Sequence, residues 1–550
     1  MQKKKDMETI IDRAKEWLSE DFDLETRRQV AELIEKNDDE LNDAFYKNLE
    51  FGTGGLRGIM GPGTNRMNIY TVSMATQGLA NYLKKCFPDE ELSAAIAYDC
   101  RNNSRLFATK TAEVLSANNI KVYLFDDMRP TPELSFAVRE LKCNTGIVIT
   151  ASHNPKEYNG YKAYWNDGAQ IIAPHDVLII EEVSKIKSMK EVKTTPKPNL
   201  INIIGKEIDD IYLHKVLALS LNHDIVNRHK DISIVYTPLH GTGMKLVPKA
   251  LEMYGFANVH KVEPQCIPDG NFPTVQSPNP EEGSAFKLAI ELAEKVNAEL
   301  VLATDPDADR IGIAVKDDKG QYMLLNGNQT ASILFYYLIK CRKPSTLPYY
   351  IVKTIVTSDI LNRMAEREGV EVFECLTGFK HIASVIRKNE GKKQFLVGGE
   401  ESYGYLCGDF VRDKDSIMSS CLIAEAATWA KENGMTMYQL LQHIWKEYGH
   451  YQESLRSEVR KGQHGAEEIK QMMIDFRSNP PKEIEGSKVV EIRDYQTLKI
   501  TNMLDGSVKD IADIPQSNVL QFYLKNGTKI SVRPSGTEPK IKFYRSEIIQ

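Results

Sequence analysis

Strand, helix, strand, helix, strand is written three times along this 550-residue chain, and that repeat restricts the fold to sheets covered by helices. In the first copy the strand candidates are residues 94–98, 121–125 and 146–149, with apolar residues at helical spacing in 109–118 and 132–141 between them. The second copy offers strands at 232–236, 259–262 and 300–303 around helical patterns at 244–254 and 283–296. The third offers 350–353, 370–373 and 394–397, separated by 359–367 and 382–387. A chain of this length exceeds what one hydrophobic core organises. The expectation is three similar α/β domains with helix-covered mixed sheets, at 1–205, 206–325 and 326–450, facing a shared central cleft. The first fifty residues read as helices that buttress the first domain. After about residue 450 the texture changes to a charged segment at 452–461, a helical pattern at 465–476 and short strand-like runs at 488–493 and 519–524. A smaller C-terminal α+β domain at 451–550 accounts for it.

Ligand chemistry in such sheets sits in loops at strand ends. The third strand of each copy runs straight into a polar loop, at 150–154, 304–310 and 398–404. The first, Thr150-Ala151-Ser152-His153-Asn154-Pro155, displays one hydroxyl on a sharp turn, with His153 and Lys162 close in sequence. Ser, Asn and Pro also end ordinary strands. Three polar loops at equivalent places favour chemistry, and a serine there can carry a phosphoryl group.

The second loop, Thr304-Asp305-Pro306-Asp307-Ala308-Asp309-Arg310, sets three carboxylates at alternate positions, which repel unless a cation joins them. An EF-hand is excluded, because Arg310 stands where its glycine would be and Lys316 where its glutamate would be. Three protein ligands leave room for a phosphate oxygen, an arrangement favoured by Mg²⁺. The third loop, Gly398-Gly399-Glu400-Glu401-Ser402-Tyr403-Gly404, places acceptors and a hydroxyl between glycines and suits sugar hydroxyls. Nearby, Arg412 and Lys414 are candidates for anion contact or proton transfer. Thr377-Gly378-Phe379-Lys380-His381 ends another strand where a ligand could be read. Arg533-Pro534-Ser535-Gly536-Thr537 combines a guanidinium fork, two hydroxyls and backbone N–H groups suited to a phosphate dianion. The glycine-rich 51–58 suits close approach to a ligand, although alone it reads as a flexible connector.

Composition narrows the classes further. A net charge of -6 lacks the basic excess of a nucleic-acid binder. No apolar run is long enough to span a bilayer and no secretory leader is seen. The eight cysteines are scattered without the close pairs of a zinc site or disulfide scaffold, so reduced thiols in the cytoplasm are expected.

Taken in order, the motifs at 150–155, 305–310, 399–404 and 533–537 resemble the α-D-phosphohexomutase superfamily across nearly the whole chain. Phe51-Gly-Thr-Gly-Gly-Leu-Arg, Asn159-Gly-Tyr-Lys-Ala-Tyr-Trp and Thr377-Gly-Phe-Lys look most like its phosphoglucomutase/phosphopentomutase branch. The resemblance implies a phosphoserine at Ser152 and one Mg²⁺ per chain, held by Asp305, Asp307 and Asp309 with the phosphate on Ser152. Glu400 and Ser402 would contact sugar hydroxyls, and Arg533, Ser535, Gly536 and Thr537 would bind the phosphate that is not transferred. Arg57, His153, Lys162, Arg310 and Lys414 match positions of the active cleft. Pro306 and Ala308 depart from the commoner Asp-Gly-Asp-Gly-Asp, stiffening the turn without removing a ligand.

The implied activity is interconversion of glucose 1-phosphate and glucose 6-phosphate through glucose 1,6-bisphosphate, by a monomer or homodimer acting on small sugar phosphates. Phosphopentomutase, phosphomannomutase and glucose 1,6-bisphosphate synthase activities use the same chemistry, with the choice expected at 377–381. A phosphatase with an Asp nucleophile would not need Ser152. A catalytically silent sensor would have lost the serine or a metal aspartate, and neither is missing.

Overall fold

In the computed structural model, residues 2–52, 54–460, 462–535 and 540–549 are described. The chain divides into two compact units, one of Met1–Val315, Tyr322–Leu324 and Leu406–Trp429, the other of Lys316–Gln321, Leu325–Tyr405 and Ala430–Gln550. Among the described residues four sheets are formed, and the first three repeat one plan.

The first sheet has the strand order Gly55–Ile59, Tyr158–Trp165, Thr145–Ile149, Ser93–Tyr98, Lys121–Phe125, Ile201–Ile204. Its interior neighbours run parallel, while Tyr158–Trp165 turns back antiparallel. Every residue of Thr145–Ile149 is buried, as a strand covered on both faces requires. The second sheet places Leu300–Thr304 between parallel Ile234–Thr237 and antiparallel Ile311–Lys316. In the third, Tyr349–Thr354 lies parallel to both Glu371–Cys375 and Gln394–Glu400, with Gly404–Cys407 at the edge. Each return strand follows one of the three polar loops and fixes that loop from both ends.

Helices fall where apolar spacing put them: Ser104–Ala117, Thr131–Glu140, Gly243–Tyr254, Lys287–Val296, Ile360–Arg367 and Phe379–Asn389. The N-terminal helices Gln2–Glu16, Leu24–Lys36 and Asp39–Phe45 bury Trp17, Val30, Leu33, Leu41 and Phe45 against Tyr70 of helix Ile69–Cys86. They buttress the first sheet's helical layer as expected. The C-terminal region is rich in strands: Gly462–Ser478 is its helix, and an eight-stranded sheet takes the rest.

Two segments differ from the reading of the sequence. Where a loose connector was the reading for residues 51–58, Gly55–Ile59 is an edge strand paired antiparallel with Tyr158–Trp165. Gly55 makes the pairing possible: it has φ +138°, and a Cβ there would stand 1.7 Å from the Tyr161 carbonyl oxygen. The charged segment at 452–461 is mostly strand His450–Val459, which pairs along its whole length with Lys540–Ile549. Among the described residues, no helix is long and apolar enough to cross a membrane.

Candidate active site

The turn between Thr145–Ile149 and Tyr158–Trp165 carries Ser152, 3% exposed, in a left-handed conformation at φ +52°. A non-glycine residue there costs roughly 1–2 kcal/mol, so the surroundings must impose it. Thr150 Oγ1 accepts from Ser152 N at 2.8 Å and donates to buried Asp99 at 2.6 Å. Arg101 supplies the larger restraint. Its guanidinium donates to the carbonyls of Ser152 (2.5 Å), Pro155 (2.8 Å) and Tyr158 (3.1 Å), and to that of Asn154. Its Nε lies 3.4 Å from Asp99, and both side chains are fully buried.

The carboxylate loop stands directly against this turn. Ser152 Oγ donates to Asp305 Oδ2 at 2.6 Å and lies 3.3 Å from His153 Nδ1. Asp305 Oδ1 accepts from the backbone N–H groups of Asp309 and Arg310, which closes the loop on itself. Asp307 Oδ2 accepts from Thr131 Oγ1 at 2.8 Å and Lys162 Nζ at 2.7 Å. Asp309 Oδ2 faces Lys414 Nζ at 3.2 Å and Lys162 Nζ at 3.5 Å. Ala308, between the carboxylates, is left-handed at φ +51°.

The electrostatics follow from burial. Desolvation, reinforced by the charges of Asp307 and Asp309, pushes Asp305 well above the ordinary carboxylate pKa. Burial opposes the charge on Lys162 as well, but Asp307 and Asp309 outweigh it and raise its pKa. Desolvation, then Arg310 and Arg57, hold His153 well below the usual imidazole value, so the ring is neutral at pH 7.

One oxygen of each of Asp305, Asp307 and Asp309 lies within 4.8 Å of the others. Asp307 Oδ1 and Asp309 Oδ1 are buried without a hydrogen-bond partner, an expensive state that a cation would relieve. Three hard oxygen donors suit a divalent cation such as Mg²⁺ or Ca²⁺.

The other residues singled out in this unit occupy distinct places. Arg57 is exposed and donates to Asn154 Oδ1 at 3.1 Å. Arg310 pairs with Glu281 at 2.5 Å. Lys414 also meets Asp413, whose carboxylate accepts from Tyr164 at 2.7 Å. Arg412 is 1% exposed and donates to the carbonyls of Asp409 and Val411, bracing the loop that carries Lys414.

In the second unit, buried Glu400 accepts from Gly378 N at 2.8 Å, which ties the sugar-type loop to the Thr377–Gly378 turn. Thr377 and Ser402 are half-buried. Burial, then Lys380 and Arg533, lower His381 to about 4, so Arg533 lies close enough to act on this turn. Ser535 N donates to Lys540 O at 2.7 Å, closing the base of the Arg533 loop, while Gly536 and Thr537 lie outside the described residues.

Asp99, Arg101 and Thr131 were not found from the sequence. Asp99 and Arg101 directly follow the first strand of the first copy, and Thr131 opens a helix, so strand-end position was the one available signal. Charged residues are too common at such ends to be selected by it.

Residues 48–190, 210–320 and 326–448 match the models of phosphoglucomutase/phosphomannomutase alpha/beta/alpha domains I, II and III respectively. A phosphoglucomutase of Staphylococcus haemolyticus is 40% identical over 508 residues, covering 91% of each chain. One of Staphylococcus aureus is 40% identical over 516 residues, covering 93% of this chain and 92% of its own. Among solved structures, the open form of Paramecium parafusin aligns with a TM-score of 0.69 at 19% identity, covering 92% of this chain and 91% of that one. A phosphoglucomutase/phosphomannomutase family protein of Burkholderia thailandensis aligns at 0.64 with 17% identity, covering 91% and 93%. These two likenesses concern the fold.

Proposed function

Because the chain belongs to the phosphoglucomutase/phosphomannomutase family of the α-D-phosphohexomutase superfamily, we propose that it interconverts α-D-glucose 1-phosphate and glucose 6-phosphate through a phosphoserine at Ser152. The observation that carries the reading is the 2.6 Å contact between Ser152 Oγ and Asp305, inside a cluster of three buried carboxylates.

Phosphoserine 152 gives its phosphoryl group to the free hydroxyl of a bound glucose monophosphate, breaking the Oγ–P bond and forming glucose 1,6-bisphosphate. The bisphosphate reverses its orientation, and Ser152 Oγ then attacks the other phosphoryl group, breaking its bond to the sugar oxygen, which takes up a proton and leaves as the isomeric monophosphate. In that second step Oγ must lose its proton, and neutral His153 Nδ1, 3.3 Å away, is the acceptor beside it that is not a metal ligand. Lys162 and Lys414 are positive groups placed to offset charge on the moving phosphoryl group. Mg²⁺ bound by Asp305, Asp307, Asp309 and an oxygen of the phosphoryl group on Ser152 would add its charge to theirs. Glu400 and Ser402 bind sugar hydroxyls, and Arg533, Ser535, Gly536 and Thr537 hold the stationary phosphate. Among the described residues no disulfide joins the eight cysteines, which supports a reducing cytoplasm as the site of action.

The test supplies purified protein with Mg²⁺ and a trace of glucose 1,6-bisphosphate, and gives it glucose, mannose and ribose 1-phosphates separately. Glucose 1-phosphate should turn over fastest, and intact-mass analysis should find one phosphate on Ser152. Failure to isomerise glucose 1-phosphate would sink the reading.

A further inference from the structure

The turn that follows strand Ile234–Thr237 takes a course its own residues do not favour. Leu239 and His240 are consecutive left-handed residues at φ +46° and +64°, neither of them glycine and both buried. What the turn gains is a grip on the metal loop. Thr242 N and Thr242 Oγ1 both donate to the Pro306 carbonyl, at 2.8 and 2.9 Å. The approach is as close one residue earlier, where a Cβ on Gly241 would stand 2.5 Å from Pro306 Cα. Pro306 lies between Asp305 and Asp307, so this turn sets where both carboxylates start.

His240 faces the other way, towards a strap at residues 266–275 whose Ile267, Pro268, Asn271, Pro273 and Thr274 are exposed. Its Nδ1 donates to the Ile267 carbonyl at 2.9 Å and its Nε2 accepts from Thr274 Oγ1 at 2.8 Å, so one ring pins the strap near both ends. Neighbours fix that polarity. Thr237 Oγ1 donates to Gln265 Oε1 at 2.6 Å, which turns Gln265 Nε2 towards Thr274 Oγ1 at 3.0 Å and leaves the Thr274 proton for His240.

Between its two pins the strap lies on Arg101. Phe272, itself left-handed at φ +49° and buried, places its ring centroid 5.1 Å from the guanidinium carbon. Gly270 comes so near that a Cβ would stand 2.4 Å from Asn102 N, and Asn102 Nδ2 donates to Asn271 Oδ1 at 3.1 Å. Arg101 in turn holds the carbonyls of the Ser152 turn, and Ser152 Oγ meets Asp305 at 2.6 Å.

We propose that His240 is a positioning residue for phosphoryl transfer, tying the strap that covers Arg101 to the turn that grips Pro306 and so keeping the phosphoserine and the metal carboxylates in register. Phe272 acts on the serine side and Thr242 on the metal side. The inference rests on the function proposed above.

The test compares His240→Leu, Thr242→Val, Phe272→Leu and Phe272→Tyr with wild type, after far-UV circular dichroism confirms matched folding. Hydrogen exchange read by mass spectrometry, without metal or substrate, follows residues 150–158 and 303–311 separately. Phe272→Leu should speed exchange in the first segment only, Thr242→Val in the second only, and His240→Leu in both. Calorimetric Mg²⁺ affinity should fall about fivefold in Thr242→Val and His240→Leu, the scale of one lost hydrogen bond, and change less than about twofold in Phe272→Leu. For glucose 1-phosphate, kcat should fall about threefold in Phe272→Leu and about tenfold in His240→Leu. KM should hold nearly constant in both, because neither residue is assigned to the sugar or the stationary phosphate. Phe272→Tyr keeps the aromatic face and should match wild type throughout. If wild type does not isomerise glucose 1-phosphate, the function fails while exchange and Mg²⁺ affinity still judge the coupling. Exchange in His240→Leu that is unchanged, or faster in only one of the two segments, would overturn the inference. Equal losses in Phe272→Tyr and Phe272→Leu would overturn it too. Should His240→Leu not fold, Thr274→Val removes the exposed hydroxyl partner of His240 in its place, and unchanged exchange at 150–158 in that variant is the overturning result.

Discussion

Replacing Arg101 by Met isolates what holds Ser152 in its left-handed turn. The substitution keeps an unbranched side chain and removes every guanidinium contact. Four carbonyls lose a donor, but Pro155 is exposed and Asn154 and Tyr158 are half-buried, so water can serve those three. The Ser152 carbonyl and the Asp99 carboxylate are buried and cannot be served so easily. Breaking a buried ion pair costs about 3–5 kcal/mol, most of it the penalty of the charge left behind. Asp99 keeps its bonds from Ser104 and Thr150 at 2.6 Å each, which puts the expected loss at the lower end, about 3 kcal/mol. Burial already raises the pKa of Asp99 against the pull of Arg101, and without the arginine it must rise further. A carboxyl whose folded pKa is raised favours folding at low pH, so the deficit of Arg101→Met should shrink as pH falls from 7 towards 5. The double variant Asp99→Asn/Arg101→Met removes the orphaned charge and should recover about half of the loss. Urea midpoints at pH 7 and 5 measure the stability, and intact mass after glucose 1,6-bisphosphate treatment measures charging of Ser152, which should fall sharply. A wild-type midpoint for Arg101→Met, or a double variant no more stable than the single one, would refute the reasoning.

Other expectations can be checked by similar means. Burial pushes Asp415 up to about 6 despite hydrogen bonds from Met418, Tyr212 and Ile417. Its folded pKa exceeds the unfolded value of about 3.9, so this stabilisation is complete below about pH 4 and lost as pH rises through about 6. Asp415→Asn should therefore gain up to about 3 kcal/mol over wild type at pH 8, with the difference vanishing near pH 4 in urea titrations. Gly327→Ala drives a methyl into the Glu401 carbonyl and should raise KM for glucose 1-phosphate at least about tenfold, read from initial rates. Chelation with EDTA should abolish turnover, and added Mg²⁺ should restore it in a coupled dehydrogenase assay.

The repeat was legible because interior parallel strands are continuous apolar runs, and residues 146–149 and 300–303 announce themselves that way. Return strands and edges were harder. Gly55–Ile59 is broken up by two glycines, one of them Gly55, which Tyr161 requires, so the close approach that makes the strand also erases its pattern. His450–Val459 leaves many of its side chains exposed, and its conformation comes from ten register partners in Lys540–Ile549 rather than from its own alternation. Within the site, Ser152 and the aspartates stood out because their spacing is unusual for a turn. Arg101 did not, since its role depends on bringing the carbonyls of residues 152, 154, 155 and 158 to one guanidinium, a convergence visible only in three dimensions.

A left-handed residue recurs within each of the three loops: Ser152, Ala308 and Tyr403. A serine, an alanine and a tyrosine stand there, so the backbone step does not depend on one side-chain type. The same kind of backbone step therefore presents a hydroxyl in one copy, spaces carboxylates in the next and turns the loop at 398–404 in the third. A unit built this way can change its chemistry by exchanging a few loop side chains while the backbone step stays as it was.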